Sequence, residues 1–186
     1  VKKRDFSWNT AFNFAHNNNI LLDLGGPCEL ITQGERNEMY IARVGDPLIQ
    51  FYGFETDGVW ISMEDILENP SHSTDIPGGL RSVNQNGDGV LDDNDFVPTG
   101  SPYPDFTWGL TNRFTYKGAD LSFLIQGSQG GQVWNGDGYY NETRKYNKAY
   151  TENRWVNSDN PGDGQTPYYS VGINHMLTDY LIQDAS

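Results

Sequence analysis

Apolar and polar residues alternate without a break from Asp5 to Ala15: Phe6, Trp8, Thr10, Phe12 and Phe14 fall on one side, Asp5, Ser7, Asn9, Ala11 and Asn13 on the other. A period of two predicts a β-strand with two chemically different faces. The same alternation returns from Asp105 to Gly130, where Phe106, Trp108, Leu110, Phe114 and Tyr116 face away from Thr107, Gly109, Thr111, Arg113 and Thr115. After a turn near Lys117-Gly118 the apolar face continues through Leu121, Phe123 and Ile125, which predicts a hairpin of two strands of about ten residues. Strands of that length suit a soluble sheet with one buried face, and equally a tilted strand crossing a bilayer with lipid on one side and water on the other.

Between these segments the pattern is broken into short pieces. Asn17-Asn18-Asn19 predicts a turn, Ile20 to Leu24 the start of a returning strand, and Met39–Val44 and Leu48–Phe54 two more strands separated by Gly45-Asp46-Pro47. Ser62 to Glu68 reads as a short helix, with Ser62 as N-cap, Asp65 completing a capping box and Asn69-Pro70 ending it. From there to Pro104 turn-forming residues dominate, so the order of this stretch is expected to come from something other than a hydrophobic face. Residues 127–167 are long, polar and rich in Gly, Asn and Tyr. A tight turn at one end of the hairpin and long connections at the other is the asymmetry of a membrane β-barrel.

Composition narrows the function classes. The 186 residues carry 25 Asp and Glu against 12 Lys and Arg, a net charge of −13 that repels phosphate backbones, so nucleic acid is excluded as a natural partner. A single cysteine, Cys28, allows no internal disulfide, and three scattered histidines, His16, His72 and His175, form no zinc spacing. No apolar run is long enough for a transmembrane helix, which leaves a membrane barrel open. No nucleophile elbow or phosphate loop occurs, and Gly127-Ser128-Gln129-Gly130-Gly131 lacks the lysine of a Walker loop. The protein is read as a non-enzyme, with a hydrolase the third choice.

The stretch NQNGDGVLDDND, Asn84 to Asp95, has EF-hand-type spacing: Asn84, Asn86 and Asp88 at positions one, three and five, Gly89 at six, the Val90 carbonyl at seven, Asp92 at nine and Asp95 at twelve. A hard cation needs six or more oxygens, and alternate residues converge on one centre only where glycine permits the sharp turn. Leu91 supplies the apolar anchor. Asn84 stands where Asp is usual and Asp95 where Glu is usual, which places a structural calcium ion at the weak end, with a Kd of about 10⁻⁴ to 10⁻³ M. Trp134, Tyr139, Tyr140 and Trp155 are candidates for stacking on sugar or peptide, or for stiffening the long loop.

Several blocks resemble one family. VGDPLIQFYGFETDGVW (Val44 to Trp60), the acidic loop with the following Gly-x-Pro-x-Pro-x-Phe strand entry, the Gln-Gly-x-x-Gly strand end near Gln126, Asn153-Arg154-Trp155 and the closing LIQDAS are similar, in this order, to the SusC/RagA-type TonB-dependent outer-membrane transporters of Bacteroidetes. The resemblance implies an all-β architecture, antiparallel strands forming a sector of a transmembrane barrel, with roughly five to seven strands, long extracellular loops and a short helix. It implies import of glycan fragments or peptides across the outer membrane, with energy from TonB and a SusD-like surface lipoprotein as cap. The whole of residues 1–186 then corresponds to a late part of the barrel domain, the plug and the TonB-contacting segment having no counterpart here and being expected upstream. The family's calcium expectation carries over to Asn86, Asp88, Gly89, Asp92 and Asp95, since Asn84 departs from the usual Asp. The alternative is a calcium-stabilised soluble β-module that binds carbohydrate.

Overall fold

The computed structural model describes residues 2–3, 5–35, 38–136, 148–168 and 177–186. Its strands in chain order are β1 (Lys2–Lys3), β2 (Phe6–Ala15), β3 (Glu29–Gln33), β4 (Met39–Arg43), β5 (Gln50–Gly53), β6 (Thr56–Val59), β7 (Leu80–Ser82), β8 (Val97–Gly100), β9 (Phe106–Tyr116), β10 (Ala119–Gln129), β11 (Gln132–Trp134) and β12 (Ile182–Asp184). Among the described residues the short helices α1 (Met63–Glu68) and α2 (Lys148–Asn153) interrupt them. All the ladders between strands are antiparallel.

The long strands form one sheet in the order β1-β2-β9-β10. Phe6 lies opposite Tyr116 and Ala15 opposite Thr107, while Tyr116 lies opposite Ala119 and Phe106 opposite Gln129, so both ladders run unbroken. The β9–β10 turn is the two-residue Lys117-Gly118, both at positive φ (47° and 87°). That conformation matches the right-handed twist of the flanking strands. Two connections leave the opposite end of the sheet: residues 16–105 between β2 and β9, and residues 130–186 after β10.

These connections hold their own structure. The first contains the sheet β3-β4-β5-β8, the pair β6-β7 and helix α1, and the second contains β11-β12 and α2. Ser62 caps α1 by accepting the Asp65 amide at 3.2 Å, while the Asp65 carboxylate accepts the amide of Ile61 at 3.1 Å, one residue further back than a capping box requires.

The core sits in the connections. Ile41, Phe51, Phe54, Val59, Trp60, Ile66, Leu80, Leu91, Tyr150 and Leu181 are buried, and none of them belongs to β2, β9 or β10. Three expectations are corrected here. The described residues hold twelve strands where roughly five to seven were expected, because the connections add short strands that pair among themselves; among the described residues β2, β9 and β10 alone reach ten or eleven residues. Ile20–Leu24 forms no strand, and the chain returns at β3 instead. The stretch from Pro70 to Pro104 is held by burial of Leu80 and Leu91, apolar residues spaced too sparsely between turns to give a periodic signal.

Candidate functional site

The wall made by β2, β9 and β10 presents two unlike faces. On one, register brings Trp8 opposite Phe114, Phe12 opposite Leu110, Phe14 opposite Trp108, Leu121 opposite Phe114 and Ile125 opposite Leu110. Trp8 stacks on Phe114 at 5.8 Å between ring centroids, and Phe114 on Phe123 at 6.0 Å. Among the described residues nothing covers this face: Phe12 is 65% exposed and Leu121 61%. A contiguous apolar surface of this extent is costly in water and favourable against hydrocarbon. Asn112, opposite Thr10 and Phe123, places an amide on this face at a position where the alternation calls for an apolar residue. It is buried, and its Oδ1 accepts the Trp8 indole N–H at 2.9 Å, so the amide oxygen is satisfied within the wall.

The other face carries Ser7, Asn9, Ala11 and Asn13 from β2, Thr107, Gly109, Thr111, Arg113 and Thr115 from β9, and Asp120, Ser122, Leu124, Gln126 and Ser128 from β10. Its two charged side chains, Arg113 and Asp120, lie near the tight turn, 3.9 Å apart, with Asp120 also accepting the Thr115 hydroxyl. The rest is amides and hydroxyls with Ala11, Gly109 and the exposed Leu124. Gly109 leaves room on this face for the Asn13 amide, whose oxygen would stand 2.6 Å from a Cβ there and would have to turn aside.

Net charge is concentrated elsewhere. Residues 16–104 hold fifteen Asp and Glu against three Lys and Arg. The acidic loop lies among them, just before β8. Gly87 and Gly89 wind it at φ +72° and +83°, and Leu91 is buried as its anchor. The Asn84 amide donates to the Val90 carbonyl at 3.0 Å, and the Asn86 amide to the Asp88 carboxylate at 3.1 Å, so positions one and seven meet, as do three and five. Asp92 caps the turn Asp93–Asp95 by accepting the Asn94 amide at 2.8 Å. Asp95 is fully buried, with Oδ1 accepting the backbone N–H groups of Gln85 (2.8 Å) and Asn86 (3.3 Å) and Oδ2 that of Asp92 (3.0 Å). The donors are all oxygens and the winding is present, which fits a hard cation in donor type. Among the described residues no three Asp, Glu, His or Cys side chains are gathered as metal ligands. A cation here would therefore depend on neutral oxygens from Asn84, Asn86 and Val90 beside Asp88.

The aromatic candidates separate. Trp134 closes β11 opposite Ile182, half-buried, its indole nitrogen buried with no hydrogen-bond partner among the described residues. Trp155 donates its indole N–H to the Ile61 carbonyl at 3.2 Å and packs edge-on against Tyr168 at 5.9 Å, so its polar group is engaged inside the fold. Tyr139 and Tyr140 lie outside the described residues.

Two features had no signal in the sequence. A cavity of about 250 Å³ opens between Phe54, His72, Asp75, Leu80, Phe96 and Thr178. Burial pushes the Asp75 carboxyl above its ordinary pKa, against the lowering effect of the His72 backbone N–H it accepts at 2.9 Å. Burial likewise raises Asp179, although Thr56 donates to it from both backbone and hydroxyl. Asp163 is shifted down: burial acts upward on it, but donors from Gln165 and Thr166 outweigh that.

No family model matches the chain. It is 33% identical over 169 residues to TonB-dependent receptor P26 of Formosa agariphila, a match covering 87% of this chain and 17% of that protein. TonB-dependent receptor P3 of the same organism is 31% identical over 173 residues with the same coverage. TonB-dependent receptor SusC of Bacteroides thetaiotaomicron is 24% identical over 199 residues, covering all of this chain and 18% of the relative. The chain thus spans about a sixth of the length of the curated relatives it matches. With a strand wall apolar on one face and polar on the other, long connections at one end and a two-residue turn at the other, the chain belongs to the SusC-type TonB-dependent receptors, as an all-β piece of their barrel.

Proposed function

We propose that this chain forms part of the wall and outer rim of an outer-membrane importer that takes up uncharged, hydroxyl-rich solutes, glycan fragments ahead of peptides. The observation that carries this is the two-faced sheet of β2, β9 and β10. Its exposed aromatic and aliphatic face suits lipid, and its opposite face offers amides and hydroxyls with one ion pair close to the turn. A wall of neutral donors and acceptors hydrogen-bonds sugar hydroxyls and gives charged peptide termini no counter-charge. The long connections form the extracellular rim, against which a SusD-like lipoprotein closes, and TonB supplies energy through a plug that precedes these residues in the complete receptor. A calcium ion held by Asn84, Asn86, Asp88, the Val90 carbonyl and Asp92 braces the rim as a structural cofactor, with Asp95 closing the loop beneath it.

Fractionation of cells producing the full receptor, followed by uptake of labelled neutral oligosaccharides and oligopeptides with and without TonB, tests the proposal. Recovery in the outer membrane with TonB-dependent oligosaccharide uptake supports it. Recovery in the soluble fraction would instead favour the soluble carbohydrate-binding module, and uptake confined to peptides would overturn the solute class. Calcium is tested separately by titration calorimetry: a Kd of about 10⁻⁴ to 10⁻³ M is expected, lost in Asp88→Ala. No heat at millimolar calcium in the unaltered protein removes the ion from the account.

A further inference from the structure

The two long connections leave the sheet at the same end but belong to different strand pairs, and each could in principle move alone. The structure instead joins them along a continuous seam. The Phe54 amide donates to the Leu177 carbonyl at 2.8 Å, and the Asp179 amide returns to the Phe54 carbonyl at 3.0 Å. Val59 donates to the Gly164 carbonyl at 3.1 Å, Tyr168 to the Gly78 carbonyl at 2.7 Å, and Gln132 to the Ser101 carbonyl at 2.8 Å. Side chains add to these main-chain bonds: Thr56 with Asp179, the Trp155 indole with the Ile61 carbonyl, and the Ser101 amide with the Gln132 side chain.

Glycines mark where the two backbones come closest. A Cβ on Gly53 would lie 2.4 Å from the Leu177 carbonyl oxygen, one on Gly58 2.4 Å from the Gly164 carbonyl oxygen, and one on Gly78 2.6 Å from the Trp155 ring. Gly58 and Gly78 also have positive φ, so a side chain there meets both strain and a clash. Buried apolar residues come from both sides, Phe54, Val59, Trp60 and Leu80 from the first connection and Tyr150 and Leu181 from the second. Main-chain bonds buried against a shared core open together, because parting them exposes apolar surface and unpaired backbone groups at once.

We propose that residues 16–35, 38–104, 130–136, 148–168 and 177–186 form one cooperative extracellular body, so that the mouth of the barrel is not opened by parting these two connections. The body is a fixed segment of the rim, and whatever gates access moves against it as a unit. This stands on the seam alone and does not depend on what the barrel transports.

Two measurements on the full-length receptor in detergent test it. Nitroxide labels at the exposed positions Leu67→Cys and Lys148→Cys, with Cys28→Ser and other reactive thiols blocked, are expected to give a single narrow distance distribution by pulsed electron resonance. A broad or two-peaked distribution overturns the proposal. Hydrogen exchange reads the seam itself: Gly58→Val is expected to speed exchange tenfold or more in residues 54–60 and, equally, in 164–168 and 177–179, with the β9–β10 hairpin unchanged. A rise confined to residues 54–60 overturns cooperativity. Should Gly58→Val fail to assemble, Gly53→Ala makes the same test, and rapid exchange at 164–168 in the unaltered receptor is itself sufficient to reject the seam.

Discussion

At the scale of single residues, Asp95 shows how much an EF-hand-like spelling leaves undecided. Position twelve is normally valued for what it gives an ion, yet here the carboxylate is fully buried and holds three backbone N–H groups of its own loop. Removing it strands those donors, so Asp95→Ala is expected to lower the opening free energy of residues 84–95 by about 3 kcal/mol, read by hydrogen exchange at Gln85 and Asn86. Asp88→Ala, which removes an exposed acceptor of the Val90 backbone N–H and the Asn86 amide that water can replace, should lower that value by less than Asp95→Ala does in the absence of calcium. Asp179 supplies a pH prediction. Its pKa is raised by burial, so the folded state holds the proton more tightly than the unfolded chain. Between the ordinary carboxylate pKa and the raised one, stability falls as pH rises, and above that range the penalty is constant. Asp75 acts in the same sense, whereas the lowered Asp163 contributes stability at neutral pH that is lost as pH falls through its folded value. Mild acidification from neutral should therefore tighten the seam at Thr56 and Asp179. Asp179→Asn should be at least as stable as the unaltered protein at pH 7, with that gain on acidification abolished, as measured by exchange in residues 54–60 across the pH range.

At the scale of elements, the apolar and polar faces of β10 differ by one residue, and the proposed wall would have them separate lipid from water. Phe123 lies on the apolar face and its neighbour Ser122 on the polar one, opposite Arg113. An arginine on the lipid side of a membrane strand costs about 2–4 kcal/mol near the midplane, while one facing the lumen is tolerated. Phe123→Arg is expected to reduce the folded, heat-modifiable fraction of the receptor in the outer membrane, and Ser122→Arg to leave it intact. Equal loss from both would mean that the strand does not separate two media. The alternation that supports this was legible in β2, β9 and β10 because a two-faced strand carries it in its own period, whether the apolar face meets a core or, as proposed, lipid. Asn112 was not legible as an exception, since its tolerance depends on Trp8 across the strand pair.

At the scale of the whole molecule, the division between wall and rim explains an otherwise odd distribution of burial. A soluble domain of this size places its core between its longest elements, but here the longest strands expose their apolar face and the buried residues lie in the connections. Two solvents would account for this under the proposed function: a wall matched to hydrocarbon, and a rim that stands in water and has to build its own interior. The rim also carries most of the negative charge, which keeps it hydrated and leaves the polar face of the wall close to neutral apart from Arg113 and Asp120.

Local periodicity was enough to define the hairpin, its turn, the strand before it, the N-cap of α1 and the wound acidic loop, since each depends on neighbours a few residues away. The order of sequence blocks was enough to point to the receptor family. Tertiary structure alone decided that β3 to β8 pair among themselves above the wall, that Asp95 faces backbone amides, that Trp155 is engaged inside the fold, and that Gly53, Gly58 and Gly78 mark one seam. Those arrangements join residues as far apart as Thr56 and Asp179, 123 positions along the chain. Contacts of that kind leave no period in a sequence; they arise when two connections share a core and their backbones meet where only glycine leaves room.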